Sequence, residues 1–215
     1  MQRFVPSVFG YALRMHAILL HGMARTPLAM LVLAVRLRKA GMTPHLFAYS
    51  AAFESWDGCR KRLQGFIQRR VANAPFILIG HSLGSVLIRG VLPRLTHKPD
   101  ACFFLAPPTK ACMAARKFAP RGLYKLVTGE MGQLLARADF MASLPIPEVP
   151  TRVYAGVNGP RGRYSPFGEV CNDGILALHE TALPGASCVE VQAMHTFIML
   201  NQGVARDIIQ ITRAL

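Results

Sequence analysis

The chain has 215 residues, 52% of them apolar and 17% charged, with a formal net charge of +14. That length suits one domain with a substantial core, and the low charged fraction excludes a disordered, solvated chain. A surface this basic would be drawn to anionic partners such as acidic lipid headgroups, giving a weak attraction to membrane surfaces, but with no zinc-finger spacing and no aromatic-rich basic strand pair, specific binding of nucleic acid is not expected.

The chain opens Met1-Gln2-Arg3-Phe4-Val5-Pro6, one basic residue among mixed apolar positions. The most apolar stretch nearby, Ala17-Ile18-Leu19-Leu20, runs directly into His21-Gly22, and cleavage there would remove a core strand. No secretory leader is read, no apolar run approaches the length of a membrane span, and a cytoplasmic location is expected.

Short apolar runs then alternate with longer segments of helical period, the pattern of a parallel sheet covered by helices. A strand over His16 to Leu20 precedes a helix over Pro27 to Lys39, with Thr26 as N-cap, Pro27 at its first position and Gly41 closing it. A strand over His45 to Tyr49, a helix over Trp56 to Val71, a strand over Phe76 to Ile79 and a helix over Leu83 to Leu92 follow. Next comes a strand over Ala101 to Leu105. The long stretch from Pro107 to Pro150, rich in Pro, Gly and Met, reads either as a cap over a site or as an ordinary crossover helix with irregular loops. Its helix is expected over Leu123 to Arg137. Strands over Arg152 to Ala155 and Cys188 to Gln192 and a helix over Gly203 to Ala214 complete the chain. The expected fold class is α/β: one domain over residues 1–215, with a sheet of about six mostly parallel strands.

The basic clusters at 36–39, 60–62 and 69–70 fall on helices and read as solvated faces. The apolar excess has two readings, a generous core or apolar surface left open near a site. Five scattered cysteines, with no Cys-x-x-Cys pair, favour free thiols in a reducing compartment, and a single disulfide stays open.

Gly80-His81-Ser82-Leu83-Gly84 lies directly between a buried strand and an apolar-periodic helix. Gly-x-Ser-x-Gly in that setting is a nucleophile elbow. Reversing from strand to helix in so few residues forces the serine into a strained conformation, and side chains two places to either side would collide with the neighbouring strand and helix. A serine hydroxyl needs a base. His81 should point away from Ser82 on so tight a turn, while His97 and His179 read as exposed. His195, just after the last strand, lies at the carboxyl edge of the sheet with Ser82. For an acid to orient the imidazole, Asp173 follows in the expected order, although Asp-Gly is also an everyday turn. Asp100 sits at the wrong edge, and Asp57 and Asp207 read as helix caps. Oxyanion donors are expected from the backbone N–H of Leu83 and of Met23, the latter after His21-Gly22 at the end of the first strand.

Together His21-Gly22-Met23-Ala24-Arg25-Thr26, Gly80-His81-Ser82-Leu83-Gly84 and Met194-His195-Thr196-Phe197-Ile198-Met199 resemble the small bacterial lipases and esterases of the α/β-hydrolase superfamily. Leu123 to Gly129 resembles their cap region and Asn172-Asp173-Gly174 their acid loop. The resemblance runs from about Met15 and implies a triad of Ser82, His195 and Asp173, with Met23 and Leu83 at the oxyanion hole and no metal or organic cofactor. Ser85 departs from it, since such enzymes usually carry a second glycine there. The implied activity is hydrolysis of a small-molecule or lipid carboxylic ester of an apolar acyl group. A thioesterase or acyl-protein deacylase would use the same machinery, and a catalytically silent binding protein is the alternative outside enzymes. Met113, Phe118, Leu123, Tyr124, Leu126, Met131, Leu134, Phe140 and Met141 would either line an acyl site or form the underside of a packed helix.

Overall fold

The computed structural model describes residues 14–215, and the reading of Met1 to Pro6 lies outside them. Six strands, β1 (His16–Leu20), β2 (Thr43–Phe47), β3 (Phe76–His81), β4 (Ala101–Leu105), β5 (Thr151–Gly156) and β6 (Ser187–Val191), form one sheet. Its order is β2-β1-β3-β4-β5-β6, and every neighbouring pair is parallel. Parallel neighbours require crossovers, here mostly helical. The helices are α1 (Leu31–Lys39), α2 (Trp56–Val71), α3 (Leu83–Val91), α4 (Met113–Phe118), α5 (Gly122–Leu135), α6 (Ala138–Ser143) and α7 (Gln202–Arg213).

Alternate strand residues feed two apolar layers. Ala17, Leu19, Ile77 and Ile79 pack with α1 and α7 through Leu33, Leu37, Val204 and Ile208. Ile18, Leu20, Phe76 and Leu78 pack with α2 and α3 through Leu63, Ile67, Val86 and Leu87. With both faces covered, β3 and β4 are buried throughout, which is why they read as unbroken apolar runs.

Several expectations need correction. The second strand begins two residues early, at Thr43, because its register follows β1 from His16↔Thr43 to Leu20↔Phe47. Pro44 argues against a strand, but β2 is an edge, where a missing N–H is tolerated. Tyr49 has left the ladder, and its hydroxyl donates to the His21 carbonyl at 2.7 Å. Asp57 does not cap α2: Ser55 does, its Oγ accepting from the Gly58 N–H at 3.2 Å, while Asp57 pairs with Arg60. Asp207 lies within α7, which Asn201 caps. Its carboxylate accepts from Arg152 Nε at 3.0 Å and the Tyr154 hydroxyl at 2.9 Å, fastening α7 to β5.

The stretch after β4 holds three helices rather than one. Gly129 kinks α5 at φ +54°, where an added Cβ would meet the Ala51 carbonyl oxygen at 2.5 Å. The buried Arg89 guanidinium of α3 donates to Leu144 O at 2.7 Å, Pro145 O at 3.0 Å and Thr109 O at 3.4 Å. One side chain thus grips both ends of the stretch. All five cysteines are free thiols, so no disulfide forms.

Candidate active site

The carboxyl ends of β1, β3, β5 and β6 bring the loops of the site together. At the first, β3 turns into α3 through Ser82, whose backbone sits at φ +51° and ψ −119°. Only glycine adopts such angles without strain. The flanking glycines explain the tightness. A Cβ on Gly80 would lie 2.5 Å from Ser85 N, and one on Gly84 would lie 2.7 Å from Leu20 O. Ser85 donates its hydroxyl to Gly80 O at 2.7 Å, so the departure from a second glycine adds a brace across the turn. Leu83 is the first residue of α3, where backbone N–H groups have no partner within the helix.

The second loop follows β1. His21 donates from Nδ1 to Gly22 O at 2.8 Å, and its ring stacks on Tyr49 with centroids 4.2 Å apart. A peptide carbonyl and the next N–H point in opposite directions. Pinning Gly22 O to His21 therefore turns the Met23 N–H away from that imidazole. Gly22 also lets this loop touch the turn, since a Cβ there would lie 3.2 Å from the Ser82 Cβ.

The third group is a carboxylate and an imidazole. Asp173 Oδ2 accepts from His195 Nδ1 at 2.8 Å, while Oδ1 accepts from the Ile175 and Leu176 N–H groups at 2.9 and 2.7 Å. The His195 N–H donates to Asp173 O at 2.8 Å, closing a second link between the two residues. With Nδ1–H committed to the carboxylate, Nε2 carries the lone pair of the neutral ring. Asn172 shapes the loop, its Oδ1 accepting from Gly174 N–H at 2.9 Å and its amide donating to Pro160 O and Val170 O.

Ser82, His195 and Met23 line one cavity of about 250 Å³, together with Phe118, Tyr124 and Leu176. Asp173 stands behind His195, and Leu83 is buried at the start of α3. A groove of about 440 Å³ between Leu92 and the 145–149 stretch shares no lining residue with this cavity. Of the nine residues named for an acyl site, Phe118 and Tyr124 line the cavity, whereas Leu123 and Leu126 face water and Met131 and Met141 are core. Among the described residues no group of three His, Cys, Asp and Glu side chains could hold a metal ion.

Tyr49 escaped the sequence reading as a part of the site, because nothing local marks a lone polar residue whose partner is distant, while Asn172 reads as part of the acid loop but not as the brace that shapes it. The role of His81 also differs from a ring simply turned aside. It is buried and donates from Nε2 to His195 O at 2.9 Å, steadying the loop that carries the imidazole. Burial, then the proximity of His195, holds His81 well below the ordinary imidazole range, and burial lowers His21 as well. The unfolded chain therefore takes up protons at both positions below about pH 6.5, before the folded chain does. Their contribution to stability is complete above that pH and is lost as pH falls, at up to about 1.4 kcal/mol per pH unit for each histidine. The melting midpoint should drop between neutral and mildly acidic pH, and less steeply in His81→Gln; identical slopes would contradict this.

No family model matches the sequence, and no curated protein matches it. Solved structures do. A Xanthomonas campestris pv. campestris protein of the α/β-hydrolase superfamily superposes with a TM-score of 0.62 at 18% identity, covering 93% of this chain and 99% of its own. Tomato methylketone synthase I in complex with 2-tridecanone gives 0.63 at 14% identity, covering 94% and 98%. A Bacillus licheniformis lipase gives 0.62 at 18% identity, covering 92% of each chain. The chain therefore has the α/β-hydrolase fold.

Proposed function

We propose that this chain is a serine hydrolase that cleaves carboxylic esters of apolar acyl groups. One observation carries the reading: His195, backed by its buried hydrogen bond to Asp173, lines the same cavity as Ser82 on its strained turn. The likeness in fold to a lipase, and to a protein holding 2-tridecanone, supports a hydrolase with an apolar ligand site. In this reading His195 Nε2 removes the Ser82 proton as Oγ attacks the ester carbonyl, and the N–H groups of Leu83 and Met23 receive the oxyanion. His195 then protonates the leaving alcohol. Water deprotonated by the same nitrogen cleaves the acyl-enzyme and restores Ser82. Asp173 stabilises the imidazolium formed in each half-reaction.

The cavity lies somewhat below the size range of drug-sized sites, about 300–1,000 Å³, which favours short-to-medium acyl chains. Each buried methylene contributes about 0.8 kcal/mol, roughly a fourfold gain. The test is kcat/KM over acetyl, butyryl, octanoyl and palmitoyl esters below their aggregation limits, with a parallel thioester series because the same groups would serve both. A rise from acetyl to butyryl or octanoyl and a fall at palmitoyl is expected. A flat profile, or a maximum at acetyl, would remove the acyl pocket; no turnover in either series would remove the hydrolase.

A further inference from the structure

The helical shoulder beside the cavity turns an apolar stripe toward water. In the first half of α5, Thr128 is buried and Tyr124 partly so, whereas Leu123, Leu126 and Val127 are 74%, 74% and 46% exposed. That i, i+3, i+4 spacing makes one helix face, and such a face ordinarily packs on protein. Phe53, 91% exposed, belongs to the loop whose Ala51 and Ala52 carbonyls abut Gly129 in the same helix. Phe118 and Tyr124, with ring centroids 6.3 Å apart, join this patch to the cavity.

The charges around the patch are predominantly positive. From Lys110 to Gly129 the chain carries Lys110, Arg116, Lys117, Arg121 and Lys125, all exposed, and no acidic residue. The acids beside it are engaged: buried Glu180 accepts the Met113 and Ala177 N–H groups, Glu130 accepts the Trp56 N–H, and Glu54 pairs with Arg62. An exposed apolar stripe ringed by cations is complementary to an anionic lipid surface, where headgroups meet the charges and the acyl boundary receives the apolar side chains. No described helix is long and apolar enough to cross a membrane, so seating on the surface is the geometry this shoulder allows.

We propose that the α4–α5 shoulder docks the protein on anionic lipid bilayers, with Leu123, Leu126, Val127 and Phe53 entering the interface and the five cations meeting the headgroups. The docking is independent of the hydrolytic reading, since none of these residues lines the cavity. It is tested with the Ser82→Ala protein, which removes the proposed nucleophile, by cosedimentation with vesicles of phosphatidylcholine alone or mixed with phosphatidylglycerol. Partition onto the mixed vesicles should be strong, fall with added salt, and be weak on phosphatidylcholine alone. Replacing Leu123, Leu126 and Val127 by Ser should lower it about tenfold or more, and Arg121→Glu with Lys125→Glu about fivefold per residue or more. Arg38→Glu with Lys39→Glu on α1 makes the same change in net charge and should leave partition nearly unchanged. In a Ser82 background the serine triple variant should keep wild-type turnover of a soluble butyryl ester and a wild-type melting midpoint. No partition onto anionic vesicles would overturn the proposal, and so would equal losses in the α1 pair, which would mean diffuse charge attraction. Self-association without lipid that the serine triple variant abolishes would also overturn it, by giving the stripe to a second copy.

Discussion

Ser82→Ala should leave the fold intact and remove ester hydrolysis almost completely. In a triad the nucleophile, base and acid act as a unit, and deleting the nucleophile costs on the order of a millionfold in kcat in a well-studied protease. The structure gives no reason for Ser82→Ala to unfold the protein. The Ser82 side chain makes no capping hydrogen bond to α3, and alanine meets the same strain at φ +51° as serine does. A glycine arm separates strain from chemistry. Ser82→Gly should be equally inactive, yet should melt no lower than Ser82→Ala, because relief of about 1–3 kcal/mol of strain offsets glycine's entropic cost of about 0.5–1 kcal/mol. Retention of about a tenth of the wild-type rate in either variant would end the assignment of Ser82.

Asp173→Asn is the second large effect, and the hydrogen bonds foretell how it acts. The amide oxygen can keep both backbone donors that Oδ1 now accepts, from Ile175 and Leu176, so the loop should persist. The amide nitrogen then faces His195 Nδ1 where a carboxylate oxygen stood. Two donors cannot face one another, so Nδ1 must become the acceptor and the proton moves to Nε2. An imidazole in that tautomer cannot take a proton from Ser82. The loss should fall on kcat rather than KM and reach about ten-thousandfold, the size found when the same exchange is made in a serine protease triad. A variant within about tenfold of wild type, with its fold unchanged, would show that Asp173 only braces its own loop.

The elbow could be read in advance because three constraints meet in five residues: a strand that must be buried, a helix that must start, and glycines where a Cβ has no room. The sheet was legible for a similar reason, since strands covered on both faces cannot alternate. Local pattern was weaker where the deciding partner lies far along the chain. Asp207 resembles a cap until β5 supplies Arg152 and Tyr154. Pro44 discourages a strand until β2 proves to be an edge. The α5 residues teach the sharper lesson. Periodicity tells that Leu123, Leu126 and Val127 share a face but carries no information on which way that face turns, and here it turns outward, so that Leu123 and Leu126 serve neither of the two roles open to them, acyl site or packed underside.

Arg89 constrains how the stretch beside the cavity can move. Its guanidinium closes the stretch from Thr109 to Leu144 into a ring, so the segment is a tethered arch and not a flap. A flap admits its guest by swinging about a pivot at its root; an arch with both feet held can only flex along its span. The flexing falls to the joints between helices, at Ala119 to Arg121 and at Gly129, and the feet stay where α3 holds them. Any flexing then changes the curvature of the arch while Ser82, at the head of the helix that bears Arg89, keeps its place.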